Sequence, residues 1–142
     1  MSRKRSRARR CVVQALYQWQ LGGNDLTAPD LEFLAADDGK QLDREYFRTL
    51  LAEIRTHEEE LDDMIRPYVD RPLHEVDPVE RAILRLGACE LAYHLEVPFR
   101  VVINEAVELA KVFGAEHGHK FVNGILDKLA VRLRSTEIQA VR

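Results

Sequence analysis

An all-α protein of about seven helices is predicted from three observations. Apolar residues recur at steps of three and four along most of the chain, nothing alternates with period two over a strand's length, and the segments so marked carry helix start and stop signals. With 142 residues, 46% of them hydrophobic, the chain is long enough to bury most of its apolar surface as one domain without disulfides or metals. No apolar run approaches the roughly 18 residues that cross a bilayer.

Ala8, Cys11, Val12, Ala15, Leu16 and Trp19 mark a first helix over about 7–21, stopped by Gly22-Gly23. A short second helix follows Thr27-Ala28-Pro29-Asp30 and ends near Gly39, with Leu31, Leu34 and Ala35 inward. The third starts at Asp43 as N-cap, with Leu42 and Phe47 placed as a hydrophobic staple, and continues on Leu50, Leu51 and Ile54. Thr56 and Glu59 form a capping-box pattern that restarts the chain as a fourth helix on Leu61, Met64 and Ile65, until Pro67.

The stretch RPLHEVDP holds two prolines in eight residues and predicts a sub-boundary near residues 71–76. It ends in the strongest start signal of the chain: Asp77 as N-cap, Pro78 at the first helical position and Glu80 three residues after the cap. The helix it opens, about 78–95, is apolar on most of its circumference and is expected to be the most buried. A sixth helix, about 100–113, faces inward through Val102, Ala106, Leu109, Ala110 and Phe113 and stops at Gly114; a last, about 119–134, uses Val122, Ile125, Leu126, Leu129 and Leu133. Gly124 within it costs about 1 kcal/mol relative to Ala, which predicts a close approach to its backbone. There is no internal repeat.

Charge is distributed unevenly. The chain carries 21 basic and 24 acidic residues, net −3, yet its first ten residues hold six Lys/Arg and no acid, +6, leaving 15 basic against 24 acidic residues, −9, in the other 132. Two regions of opposite sign suit two different partners. Secretory export is unfavoured, because Gln14, Gln18 and Gln20 interrupt the apolar stretch and no small-residue cleavage site follows; a mitochondrial transit peptide fits the composition better. Cys11 and Cys89 sit within apolar helical patterns and read as buried reduced thiols, so a cytoplasmic location is expected.

Cations in a helix's first turn oppose its dipole by about 0.3–1 kcal/mol each. The same bare N–H groups and dipole welcome phosphate, which a guanidinium grips bidentately. Nucleic acid is therefore the leading partner for the arginine-rich start, with a solvated arm as the bland alternative. His119, Lys120 and Phe121 repeat the theme at the start of the last helix: a dipole end, a cation and an aromatic ring together. His117-x-His119 lacks the further ligands of a zinc site, and no Gly-rich phosphate loop or nucleophile elbow occurs. No enzyme activity, metal or cofactor is expected.

The run INEAVELAKVFGAEHGHKFVNGILDKLA resembles the signature of the NusB family of bacterial transcription antitermination factors; ARRCVVQALYQWQ is similar to that family's first helix and VERAILRLGACELAYHLEVP to the segment before the signature. The resemblance covers about residues 5–134. It implies two packed three-helix bundles and a heterodimer with NusE, a small-subunit ribosomal protein. It also implies binding of the boxA element of nascent ribosomal RNA, in a complex that rides on RNA polymerase and prevents premature termination. By position, Arg5, Arg7 and Arg9 stand in the family's arginine-rich RNA-binding start, with Arg10 beside them where some members carry an acid. Lys120 and Phe121 match its Lys-Phe, and Tyr68 a tyrosine after the fourth helix. For NusE, Tyr17 and Leu21 on the first helix and Glu80 and Arg85 on the fifth occupy corresponding surface. A homodimer is an expectation for the chain without NusE. His117-Gly118 departs from the polar or acidic residue and Ser of many members, which weakens the last helix's cap. NusB-like domains also begin certain ribosomal RNA cytosine methyltransferases, but 142 residues leave no room for a catalytic domain. The competing reading is a helical protein-interaction module without a direct RNA role.

Overall fold

The structure is a computed structural model and describes residues 3–22, 41–114 and 117–140. The second helix expected over 27–39 lies outside the described residues. Those described form seven α-helices and no strand: α1 (Arg3–Gly22), α2 (Arg44–Thr56), α3 (Glu58–Ile65), α4 (Pro78–Tyr93), α5 (Phe99–Phe113), α6 (Gly118–Leu133) and α7 (Ser135–Ala140).

α4 is the axis of the fold. It packs against α1, α2 and α3 on one side, and with α5 and α6 it forms a mutually packed trio on the other. Its start is the one the sequence specifies: the Asp77 carboxylate accepts from the N–H groups of Val79 and Glu80. Burial extends around its circumference, with Ala82 through Leu91 all inside. Gly87 lets α6 come close, since a Cβ there would sit 2.8 Å from a Leu126 methyl. Gly124 is different from expectation: a Cβ there would meet nothing within 4 Å, so no group of the described residues approaches it.

Three features differ from the sequence reading, and tertiary contacts account for two of them, the start of α1 and the last helix. α1 begins at Arg3 rather than near residue 7, because its first turns are held by α2 and α5: the Asp43 N–H donates to the Lys4 carbonyl, Arg5 lies 4.2 Å above the Tyr46 ring and Ser6 donates to Glu105. The Thr56–Glu59 capping box does not form, since α2 runs through Thr56 and the break falls at His57, which caps α3 without a side-chain hydrogen bond. α7 carries little apolar signal beyond Ile138, and polar contacts fix it. Arg134 donates to the carbonyls of Glu90, Leu91, His94 and Val97 at the end of α4, and Glu137 accepts from the Phe99 N–H at the start of α5. The proline-rich link is packed, with Leu73 buried at the start of a short 3-10 turn (Leu73–Glu75) and Val76 buried just after it.

Candidate nucleic-acid interface

Helical geometry sorts the cations of α1 onto two faces. Arg3, Arg7 and Arg10 follow i, i+4, i+7 and share one face, where they line a cleft of about 390 Å³ against Glu105, Glu108, Leu109 and Val112 of α5. Arg10 is exposed, its guanidinium 5.7 Å above the Phe113 ring, and Arg7 donates to the Gln41 carbonyl at 2.8 Å. The acids of the opposite wall are already partnered: Glu105 accepts from Arg9 and Ser6, and Glu108 lies 3.5 Å from Lys111. Lys4, next to Arg3 in the chain, is exposed. Arg3 and Lys4 were not singled out in the sequence; for Arg3 the signal was the same spacing, once the helix is known to start there.

Arg5 and Arg9 face the other way. Arg5 stacks on Tyr46, 3.8 Å from Asp43. Arg9 is only 2% exposed and forms a fork with Glu90, Nε and Nη2 both bonded at 2.9–3.0 Å, while Nη1 reaches Glu105 at 2.6 Å. Burial alone would lower its pKa; the hydrogen bonds and charge of Glu90, with Tyr46 and Glu105, outweigh that and raise it. Tyr46 completes the cluster by donating to Glu90, and burial followed by the Glu90 charge pushes its phenol up. Arg9 is therefore corrected from a phosphate contact to a buried structural cation.

The second cationic patch lies at the start of α6. His117 adopts a left-handed conformation (φ 72°) and provides no side-chain cap, in keeping with the weakened cap expected there; His tolerates this region better than most residues. Lys120 is exposed and Phe121 half-buried against the core. Tyr68, also half-buried, lies in the 3-10 turn (Arg66–Tyr68) that packs on α6. The Arg71 guanidinium sits 5.0 Å above the Phe121 ring, a cation–π pair that nothing in the sequence announces because fifty residues separate the partners. Arg10, over the last residue of α5, and Lys120 flank the short connection between α5 and α6.

The expected partner residues divide in the same way. Tyr17 and Leu21 are 37% and 59% exposed on α1. Glu80 and Arg85 are not surface groups. Arg85 forms a fork with Asp62 at 2.8–2.9 Å, lies 3.3 Å from Glu58 and donates to Gln20 at 2.7 Å. Glu80 is buried beneath Gly118, whose Cβ would lie 3.3 Å from the carboxyl carbon; desolvation first, and Asp77 second, raise its pKa despite Arg71. Both are corrected to internal positions, because nearly the whole circumference of α4 is covered.

An all-helical domain whose exposed chemistry is two cationic patches beside aromatic rings is a binding scaffold suited to a polyanion. The chain belongs to the NusB family, whose model matches residues 6–131. It is 54% identical over 140 residues to the transcription antitermination protein NusB of Nitrosococcus oceani, covering 99% of this chain and 94% of that one. Among solved structures it is similar to T. maritima NusB, with a TM-score of 0.85 and 34% identity over 98% of this chain and 99% of that one. It is also similar to a chain of the crystal structure of antitermination factors NusB and NusE in complex with dsRNA, with a TM-score of 0.81 and 32% identity over 91% of this chain and 97% of that one. The family is one of antitermination factors, not of enzymes, and no helix among the described residues is long and apolar enough to cross a membrane.

Proposed function

We propose that this chain is a cytoplasmic transcription antitermination factor that binds the boxA element of nascent ribosomal RNA as a heterodimer with NusE, keeping RNA polymerase from terminating early. The observation that carries the RNA role is the helix-fixed row of Arg3, Arg7 and Arg10, three cations on one face of α1 that line a single cleft. Lys120 with the Arg71–Phe121 pair supplies a second contact, where a base can stack on the ring. Tyr17 and Leu21, exposed one turn apart on the far end of the same helix, offer NusE an apolar anchor separate from the RNA face.

The decisive experiment titrates fluorescent boxA RNA with the chain alone, with NusE alone and with both. The heterodimer should bind boxA at least about tenfold more tightly than either component, a gain of about 1.4 kcal/mol, and Leu21→Asp should abolish that gain while leaving the folded chain intact. Removing residues 1–10 is not a clean test, because Ala8 and Arg9 belong to the core. A chain that binds NusE but adds nothing to boxA affinity would be a protein-interaction module without an RNA role.

A further inference from the structure

At the end of α4, away from both cationic patches, Glu53, Cys89 and His94 bring a carboxylate, a thiol and an imidazole together, their ligand atoms all within 4.8 Å of one another. Glu53 comes from α2; Cys89 lies in the last turns of α4 and His94 at its C-cap. Oε1 of Glu53 is 2.5 Å from Nε2 of His94 and 3.9 Å from Sγ of Cys89. A tetrahedral zinc ion, with bonds of about 2.0–2.3 Å, spaces its donors roughly 3.3–3.6 Å apart, so small side-chain adjustments bring these three to ligand distance.

The surroundings add a second carboxylate to the cluster. Nδ1 of His94 lies 3.1 Å from the Glu96 carboxylate, the partner that fixes a ligating imidazole with its other nitrogen free. A carboxylate and a thiolate together neutralise a dication, and sulfur with nitrogen selects zinc-like ions over magnesium or calcium. His94 also lines a cleft of about 280 Å³ together with Arg5, Asp43, Tyr46 and Glu96. Cys89 itself is buried, and burial with the Glu53 and Glu90 carboxylates raises its pKa, so without a metal the thiol stays protonated and inert.

We propose that Glu53, Cys89 and His94 form a binding site for a thiophilic divalent cation of the zinc class, which ties α2 to the end of α4. On binding, the Cys89 thiol loses its proton to solvent, Nε2 of His94 donates its lone pair, Glu53 supplies one oxygen and water takes the remaining position.

Cobalt(II) is the probe. The reduced, chelator-treated full chain should bind about one equivalent of cobalt with a sulfur-to-cobalt charge-transfer band and the intense visible bands of four-coordination. Zinc should displace it, a large excess of magnesium should not, and zinc should raise the unfolding temperature. Cys89→Ser and His94→Gln should each weaken cobalt binding about tenfold or more, the first abolishing the charge-transfer band, whereas Cys11→Ser should leave both unchanged. No charge-transfer band on the folded wild-type chain, or a band that survives Cys89→Ser, overturns the proposal in favour of a metal-free His94 hydrogen-bonded to Glu53 and Glu96. Should Cys89→Ser fail to fold, X-ray absorption of the zinc-treated wild-type chain decides: one sulfur with nitrogen and oxygen donors supports the site, nitrogen and oxygen alone contradict it.

Discussion

Arg9 and Arg10 are neighbours in the chain and about 100° apart around α1. Arg9 points into the fold, where Glu90 and Glu105 bind every nitrogen of its guanidinium; Arg10 points outward over Phe113 on the face it shares with Arg3 and Arg7. One face of the helix ties its cations into the fold, and the other is the face proposed to meet RNA. A run of arginines is thus two populations, and only the helix phase separates them. The inner population also explains the outer: a helix start rich in cations opposes its own dipole, and the buried fork of Arg9 helps to hold it in place.

The sharpest way to break this contrast is Arg9→Ala. It leaves the carboxylate of Glu90, 1% exposed, buried without its main counter-charge, and removal of one partner from a buried ion pair costs about 3–5 kcal/mol. Thermal unfolding should show this as a large fall in midpoint, whereas Arg10→Ala should leave the midpoint nearly unchanged.

Phe121→Ala is expected to have the next largest effect and to show it in two readouts. Loss of base stacking should weaken boxA binding by about 1–3 kcal/mol. Because the ring is also half-buried against the core and covered by Arg71, the midpoint of unfolding should fall too, by less than for Arg9→Ala. Arg71→Ala should lower RNA affinity with a smaller loss of stability; unchanged affinity in both variants would confine the RNA face to α1.

The smallest effect concerns Glu80. Its folded pKa is raised above the unfolded value, so its protonated form favours folding; that contribution is complete below the unfolded carboxylate pKa and is lost as pH rises through the folded one. Glu80→Gln should therefore be more stable than wild type at neutral pH, with the advantage shrinking as pH falls into the carboxylate range. An equal gain at every pH would mean that packing rather than charge is responsible.

Much of the fold was legible because local signals and burial agree. Asp77-Pro78 and the Asp43 cap open α4 and α2 where their side chains say they should, and the period of three to four places the inner faces of α5 and α6. The site was legible only in part. The sequence identifies where cations cluster but not which of them a partner helix will consume, and Arg9 meets Glu90 across eighty-one residues. Glu80 and Arg85 carried the same ambiguity. α4 reads as apolar around most of its circumference, and on so buried a helix charged side chains turn inward: Arg85 pairs with Asp62, and Glu80 packs under Gly118 at the start of α6. The start of α1 and the whole of α7 depend on tertiary contacts that leave no local trace.

The central claim is that the outer face of α1 neutralises RNA phosphates while the inner face does not, and the salt dependence of boxA binding by the NusE heterodimer tests it most directly. Each phosphate neutralised on single-stranded RNA contributes about −0.7 to the slope of log K against log salt. Arg7→Ala and Arg10→Ala should each make the slope shallower by about 0.7, and a conservative Arg9→Lys, measured on folded protein, should leave it unchanged. Unaltered slopes for Arg7→Ala and Arg10→Ala, or a shallower slope for Arg9→Lys, would contradict the division of the helix into a folding face and an RNA face.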